Sequence, residues 1–156
     1  MALAVQDANL VWQKVKKLTT NAQPGVQLAF KGLREALVQA GVSELQLFIF
    51  TEAQADVSGG TALLDGASTL YGAFYKKNTS GTDNWTWIYD DATDDTTDAN
   101  ARVVFPGLVA SNEQVYLNPA GLAMATGVLV TQYATDPIGK SDGSDGGDGF
   151  IIVGRP

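Results

Sequence analysis

The first 42 residues have the hydrophobic spacing of two α-helices. The first is predicted over residues 8–18, with Asp7 as its N-cap and lysines on the polar face. Its apolar positions are Leu10, Val11, Val15 and Leu18. Pro24 suits the first turn of a second helix, which is predicted to end at Gly41. The apolar face of this second helix consists of Val26, Phe30, Leu33, Leu37 and Ala40. Because such short helices are marginal alone, they must cover a surface of this chain or of a neighbouring molecule.

After residue 43 the hydrophobic period changes from helical spacing to alternation, which is typical of β-strands. Strands are predicted over residues 44–50, 61–64, 69–77, 84–90, 102–105, 114–117, 127–135 and 150–153. Turn residues such as Pro106-Gly107 and Asn118-Pro119 separate them. The pattern predicts a mainly β protein, with an antiparallel β-sandwich or jelly-roll-like body over residues 43–156 and an N-terminal α-helical arm over residues 1–42.

The charge of the chain is unevenly distributed between these two parts. The net charge is −7, but residues 1–42 contain five basic and two acidic side chains, a net charge of +3. Residues 43–156 contain five basic and fifteen acidic side chains, a net charge of −10. An acidic body repels nucleic-acid phosphates, so nucleic acid is not an expected partner. A basic segment on an acidic body favours docking to an acidic partner surface.

The composition excludes several kinds of catalytic site. The chain contains no histidine and no cysteine, so it cannot form a Ser-His-Asp triad, a Cys-His pair or a zinc finger. No stretch of 18 apolar residues and no secretory apolar segment occurs. We therefore expect a soluble, non-enzymatic protein without a cofactor and without membrane contact.

Two acidic loops are weak candidates for Ca²⁺ binding. Five carboxylates lie close together in the first loop, at Asp90, Asp91, Asp94, Asp95 and Asp98. The second loop contains Asp142, Asp145 and Asp148, three apart with glycines between them. Neither spacing matches an EF-hand or a nonapeptide calcium repeat, so a solvated polar loop is the favoured interpretation of both.

Three large aromatic side chains, Trp85, Trp87 and Tyr89, alternate along one predicted strand and therefore share one face. One hypothesis is a platform that stacks on sugar rings. The other, which we favour, is that this face packs in the core or against another subunit, where buried aromatic rings contribute most.

Four short segments, taken in order, resemble the small β-sandwich structural proteins of tailed bacteriophages, and more narrowly the capsid decoration, or cement, proteins. They are Leu70-Tyr71-Gly72, Ile88-Tyr89-Asp90, Gly121-Leu122-Ala123 and Ala125-Thr126-Gly127-Val128. The resemblance covers residues 62–135 and concerns the order in which strands carrying these short segments follow one another. It includes no catalytic motif, and the helical arm lies outside it.

The resemblance implies a virion protein on the outer surface of the capsid, made in the cytoplasm of the bacterial host. Its partners would be the major capsid protein and other copies of itself, with a trimer as the expected homo-oligomer, and its role would be capsid stabilisation. The arm would bind the capsid through Leu10, Val11, Trp12, Val15, Lys16 and Lys17. The alternative is a carbohydrate-binding or tail and fibre attachment module used in host adsorption, with Trp85, Trp87 and Tyr89 as its ligand surface.

Overall fold

The computed structural model describes residues 6–51, 60–77, 84–92, 100–107, 113–133 and 147–154. Two helices and nine strands occur in this part of the chain. The helices are α1 (Ala8–Leu18) and α2 (Pro24–Gln39), as the hydrophobic spacing predicts. The strands are β1 (Gln6–Asp7), β2 (Glu44–Phe50), β3 (Thr61–Asp65), β4 (Ser68–Lys77), β5 (Asn84–Tyr89), β6 (Ala101–Gly107), β7 (Glu113–Met124), β8 (Gly127–Tyr133) and β9 (Gly147–Gly154).

The strands form two antiparallel sheets. The five-stranded sheet has the order β1-β2-β9-β4-β7, and the four-stranded sheet has the order β3-β8-β5-β6. Strands distant in sequence are therefore neighbours, as in the pairing of Phe48 on β2 with Ile151 on β9. The prediction of a mainly β protein with two N-terminal helices is confirmed.

One hydrophobic cluster joins the two sheets. The five-stranded sheet contributes the buried side chains of Phe50, Tyr75 and Ile151, and the four-stranded sheet contributes Ile88 and Phe105 among others. The rings of Tyr75 and Phe105, one from each sheet, stack with centroids 6.0 Å apart. Burial of this alternating set is the main source of stability expected for such an arrangement.

The two helices cover the other face of the five-stranded sheet. A second hydrophobic cluster contains buried residues of α1 and α2. It also contains strand residues that point away from the first cluster, such as Phe74 and Phe150. Phe30 of α2 lies 5.2 Å from Phe150 and 6.5 Å from Phe74 between ring centroids. Gly72 allows this close approach, since a Cβ there would lie 2.9 Å from Cδ2 of Leu33. The described helices are thus packed on the body rather than extended from it as an arm.

Strand β7 continues through a predicted break. The dipeptide Asn118-Pro119 predicts that the strand ends at residue 117, but β7 extends to Met124. The register against β4 shifts between Leu117 and Leu122, and Gly121 has a φ of 85° and donates its amide to Oδ1 of Asn118 at 3.1 Å. Because β7 lies at the sheet edge, it accommodates the bulge and the missing amide hydrogen of Pro119.

Candidate functional site

A cleft of about 440 Å³ lies between α1 and α2 on the outer side of the helical layer. Apolar and aromatic side chains, notably Trp12, Val15 and Phe30, form part of its wall. The complete lining is Trp12, Val15, Lys16, Thr19, Pro24, Gln27, Leu28, Phe30, Lys31 and Arg34. Its volume is within the range of protein ligand sites and is also large enough for a few side chains of a docked segment.

Helical periodicity and two hydrogen bonds position the lining residues. Trp12 and Val15 are three residues apart on α1 and so share one side of the helix, and Thr19, four residues after Val15, follows directly after the end of α1. Thr19 Oγ1 donates to the carbonyl of Val15 at 2.7 Å near the end of α1. Gln27 Nε2 donates to the carbonyl of Lys16 at 3.3 Å, which links the two helices across the cleft.

All charged side chains that line the cleft in the described part of the chain are cationic. They are Lys16, Lys31 and Arg34. An adjoining hollow of about 360 Å³ along α2 shares Lys31 and Arg34 and adds Glu35, Val38 and Gln39. Apolar groups accompany these charges, because Leu28 is 69 % exposed and Val38 is 62 % exposed. This combination fits a partner segment with carboxylates beside apolar side chains.

Trp12 adds an unused hydrogen-bond donor at this site. Its indole Nε1 is buried and has no hydrogen-bond partner among the described residues, while its ring lines the cleft. A buried donor without an acceptor costs free energy. A small rearrangement that brings a partner carbonyl or carboxylate oxygen to Nε1 would recover that cost.

Three of the six residues predicted to bind a capsid line the cleft, namely Trp12, Val15 and Lys16. Leu10 and Lys17 are exposed on α1 outside the cleft. Val11 is 0 % exposed and packs against the sheet of its own chain, so it lies outside the cleft. Adjacent apolar positions 10, 11 and 12 cannot all face one partner, since neighbouring residues of a helix point about 100° apart.

The sequence prediction missed the contribution of α2 to this cleft. Leu28, Lys31 and Arg34 lie outside the apolar face that was used to predict the helix. A signal for them was present, because Leu28 and Val38 are apolar residues on the polar side of α2 and flank the two cations. Exposed apolar side chains among cations are typical of contact surfaces.

The alternating aromatic residues lie on the face of the four-stranded sheet that points away from the other sheet. Trp87 and Tyr89 stack with centroids 5.6 Å apart and planes inclined by 9°. Both are buried in a third cluster with Leu129, while Trp85 is half-buried beside them. A sugar platform needs exposed ring faces, so this burial favours the packing hypothesis.

Two of the predicted calcium ligands, Asp90 and Asp91, accept hydrogen bonds within the chain. Asp90 accepts hydrogen bonds from backbone amides of the β7–β8 turn, and Asn100 Nδ2 donates to Oδ2 of Asp91 at 3.1 Å. Asp148 is exposed on β9. Among the described residues no group of three or more acidic side chains could hold a metal ion. The predicted ligands Asp94, Asp95, Asp98, Asp142 and Asp145 lie outside the described residues.

Comparison with protein-family models, with curated proteins and with solved structures finds no match to this chain. The resemblance to decoration proteins therefore rests on the four segments quoted for it. Neither α1 nor α2 has the length and apolar character required to cross a membrane, and the described part of the chain contains no other helix.

Proposed function

We propose that this protein is a structural protein of a tailed-bacteriophage virion, which decorates the outer surface of the capsid and stabilises it by binding across capsid subunits. The observation that carries the proposal is the cationic cleft with exposed apolar neighbours on a protein whose net charge is −7. Such a surface selects an acidic partner, and the rest of the molecule repels one.

The strand order supports a virion protein. Among the eight strands from β2 to β9, β2 pairs with β9, β3 with β8, β4 with β7 and β5 with β6. A long hairpin of eight strands rolled into two sheets has this pairing. We propose that the two sheets form a jelly-roll β-sandwich, an architecture common in viral capsid and lectin domains. This is support by fold analogy, and the cleft carries the function.

The charge distribution gives the proposed binding an orientation. The helical segment, with its net charge of +3, would face an acidic region of the major capsid protein, and the acidic body would point outward. Cations around the cleft would contribute mainly to partner selection and association rate, and Trp12 and Phe30 to the buried contact. An interface of about 800 Å² per partner would have ordinary size, and many copies would multiply the mechanical effect.

The proposal is tested by co-sedimentation with expanded capsids, assembled without this protein, of the phage that encodes it. Lys31→Glu/Arg34→Glu reverses two cations of the cleft. The matched control Asn9→Glu/Gln13→Glu/Lys14→Glu makes the same change in net charge at three exposed positions of α1 outside the cleft. We expect saturable binding of the wild type, about a tenfold or greater loss in the cleft variant and a much smaller loss in the control.

Two outcomes contradict the proposal. Wild-type protein that does not sediment with capsids at any salt concentration lacks the proposed activity. Equal loss of binding in the two charge variants would show that net charge alone, without the cleft, determines the affinity. Circular dichroism of each variant establishes that it is folded before binding is compared.

A further inference from the structure

The first half of β7 is an exposed, apolar sheet edge. β7 is the last strand of the five-stranded sheet and pairs only with β4 in the described part of the chain. Val115 is 37 % exposed and Leu117 is 36 % exposed, and the other large exposed hydrophobic residues of the described chain are on helices. In the register of β4 and β7, Val115 lies opposite Phe74 and Leu117 lies opposite Gly72, and both β4 residues face the helices. The side chains of Val115 and Leu117 therefore lie on the helical side of the sheet.

The usual protection of a free edge is absent from residues 114–117 of β7. Natural edges are protected by lysine, proline, charged residues or bulges. Here Pro119 and the bulge follow only after Leu117, and Glu113 accepts a hydrogen bond from the amide of Gln23 at 2.9 Å. No charged residue occurs from Gln114 to Met124. The segment between Glu113 and Pro119 is therefore open to pairing with another strand.

We propose that two copies of this chain associate through antiparallel pairing of their β7 strands, with the two-fold axis at Tyr116. In that register Val115 of one copy lies opposite Leu117 of the other, and Tyr116 lies opposite itself. Gln114 then lies opposite Asn118, two polar residues whose side chains hydrogen-bond within their own chain, while apolar residues meet apolar residues on the helical side of the sheet. This self-complementarity identifies a second copy as the occupant.

The side of α2 next to this edge has room for the second copy. α1 packs beside β1 and β2, whereas α2 contacts β7, so one flank of α2 faces the sheet edge. The residues on that flank are Gly25, Ala29, Gly32 and Ala36, and no heavy atom lies within 4 Å of a Cβ built at either glycine.

The contact predicts a dimer rather than the trimer that the resemblance implies. An isologous two-fold contact uses the same patch on both copies and closes after two. It is independent of the proposed capsid binding, because the β7 edge and the cleft lie on opposite flanks of α2. Loss of one interaction is therefore distinguishable from loss of the other.

The first test measures the mass of the purified full-length chain by sedimentation equilibrium. We expect a dimer with twice the chain mass of 16.4 kDa. Val115→Lys and Leu117→Lys each place two cations in the contact and should raise the dissociation constant about tenfold or more. Leu18→Lys, at an exposed position on α1 outside both the edge and the cleft, should leave the dimer unchanged.

A second test reads the register without relying on the lysine variants. The chain has no cysteine, so single substitutions can be cross-linked without background. Residues 115 and 117 of opposite copies would have Cβ atoms about 5 Å apart, whereas two residues 115 would be about 7–8 Å apart. A mixture of Val115→Cys and Leu117→Cys should form disulfide-linked heterodimers under mild oxidation, and each variant alone should form far fewer.

Three results would overturn the proposal. The first is a chain that remains monomeric, or forms a trimer, over the accessible concentration range. The second is a dimer that both lysine variants leave intact. The third is a monomeric wild-type chain whose lysine variants lose capsid binding. That result would show that the β7 edge pairs with a capsid strand instead of with a second copy.

Discussion

Oδ1 of Asp90 lies 2.8 Å from the amide nitrogen of Thr126, a residue 36 positions later in the chain. The same carboxylate accepts hydrogen bonds from the amides of Ala125 and Gly127, at 2.9 Å and 3.4 Å, and Nη2 of Arg102 lies 3.6 Å from Oδ2. Asp90 is 7 % exposed. Two segments quoted for the resemblance, Ile88-Tyr89-Asp90 and Ala125-Thr126-Gly127-Val128, thus meet at one structural contact between β5 and the β7–β8 turn.

Removing this carboxylate should destabilise the fold. We expect Asp90→Ala to lower the free energy of unfolding by about 2–4 kcal/mol, because three amides of the β7–β8 turn lose a charged acceptor. Asp90→Asn retains one acceptor oxygen and should cost less. Urea denaturation measures both, with the exposed Glu35→Gln as control, for which we expect a change within about 0.5 kcal/mol. An Asp90→Ala protein as stable as the control would contradict a structural role for this contact.

Calcium should leave the stability unchanged. The oxygens of Asp90 already accept backbone amides, so a first-loop cation would lack one of its five predicted carboxylates. We expect melting temperatures in Ca²⁺ and in chelator to agree within about 1 °C. A rise that grows with Ca²⁺ concentration and disappears in Asp94→Asn/Asp98→Asn would instead establish the loop as a calcium site.

Two glycines should respond to alanine in opposite directions. At Gly127 a Cβ would lie 2.5 Å from the carbonyl oxygen of Leu64 and 2.7 Å from that of Asp91. Gly127→Ala should therefore cost about 1–3 kcal/mol of unfolding free energy through overpacking. At Gly32 a Cβ meets nothing of its own chain within 4 Å, so in the monomer alanine in a helix interior should add about 0.8–1 kcal/mol. Chemical denaturation of the two variants measures both changes in unfolding free energy. It tests whether the space around each glycine decides if alanine stabilises or destabilises the fold.

Trp87 should act as a packing residue. Its ring is buried and stacked on Tyr89, so Trp87→Ala should lower the free energy of unfolding by about 3–5 kcal/mol. Trp85→Ala removes the same ring from a half-buried position and should cost less than half as much. A Trp87→Ala protein that keeps its stability and loses only binding to a glycan array would support the carbohydrate-binding alternative.

The candidate cleft was only partly accessible from the sequence. The sequence predicts Trp12, Val15 and Lys16 as contact residues on α1, and all three line the cleft. It does not predict Lys31 and Arg34, because their position beside α1 depends on how the two helices lie on the sheet. Helical periodicity gives the faces of each helix but not the rotation of one helix relative to another.

Most element positions follow from the sequence by itself, since hydrophobic spacing along a few turns or one strand is a local property. The spacing predicts α1 and α2, the strands between residues 44 and 153, and the shared face of Trp85, Trp87 and Tyr89. It also predicts the contrast in charge between the N-terminal segment and the body. Only the tertiary structure decided the strand order, the burial of Val11, the exposed edge at Val115 and the reach of Asp90 to Thr126. Each of these depends on contacts between residues far apart in the chain, which no local pattern encodes.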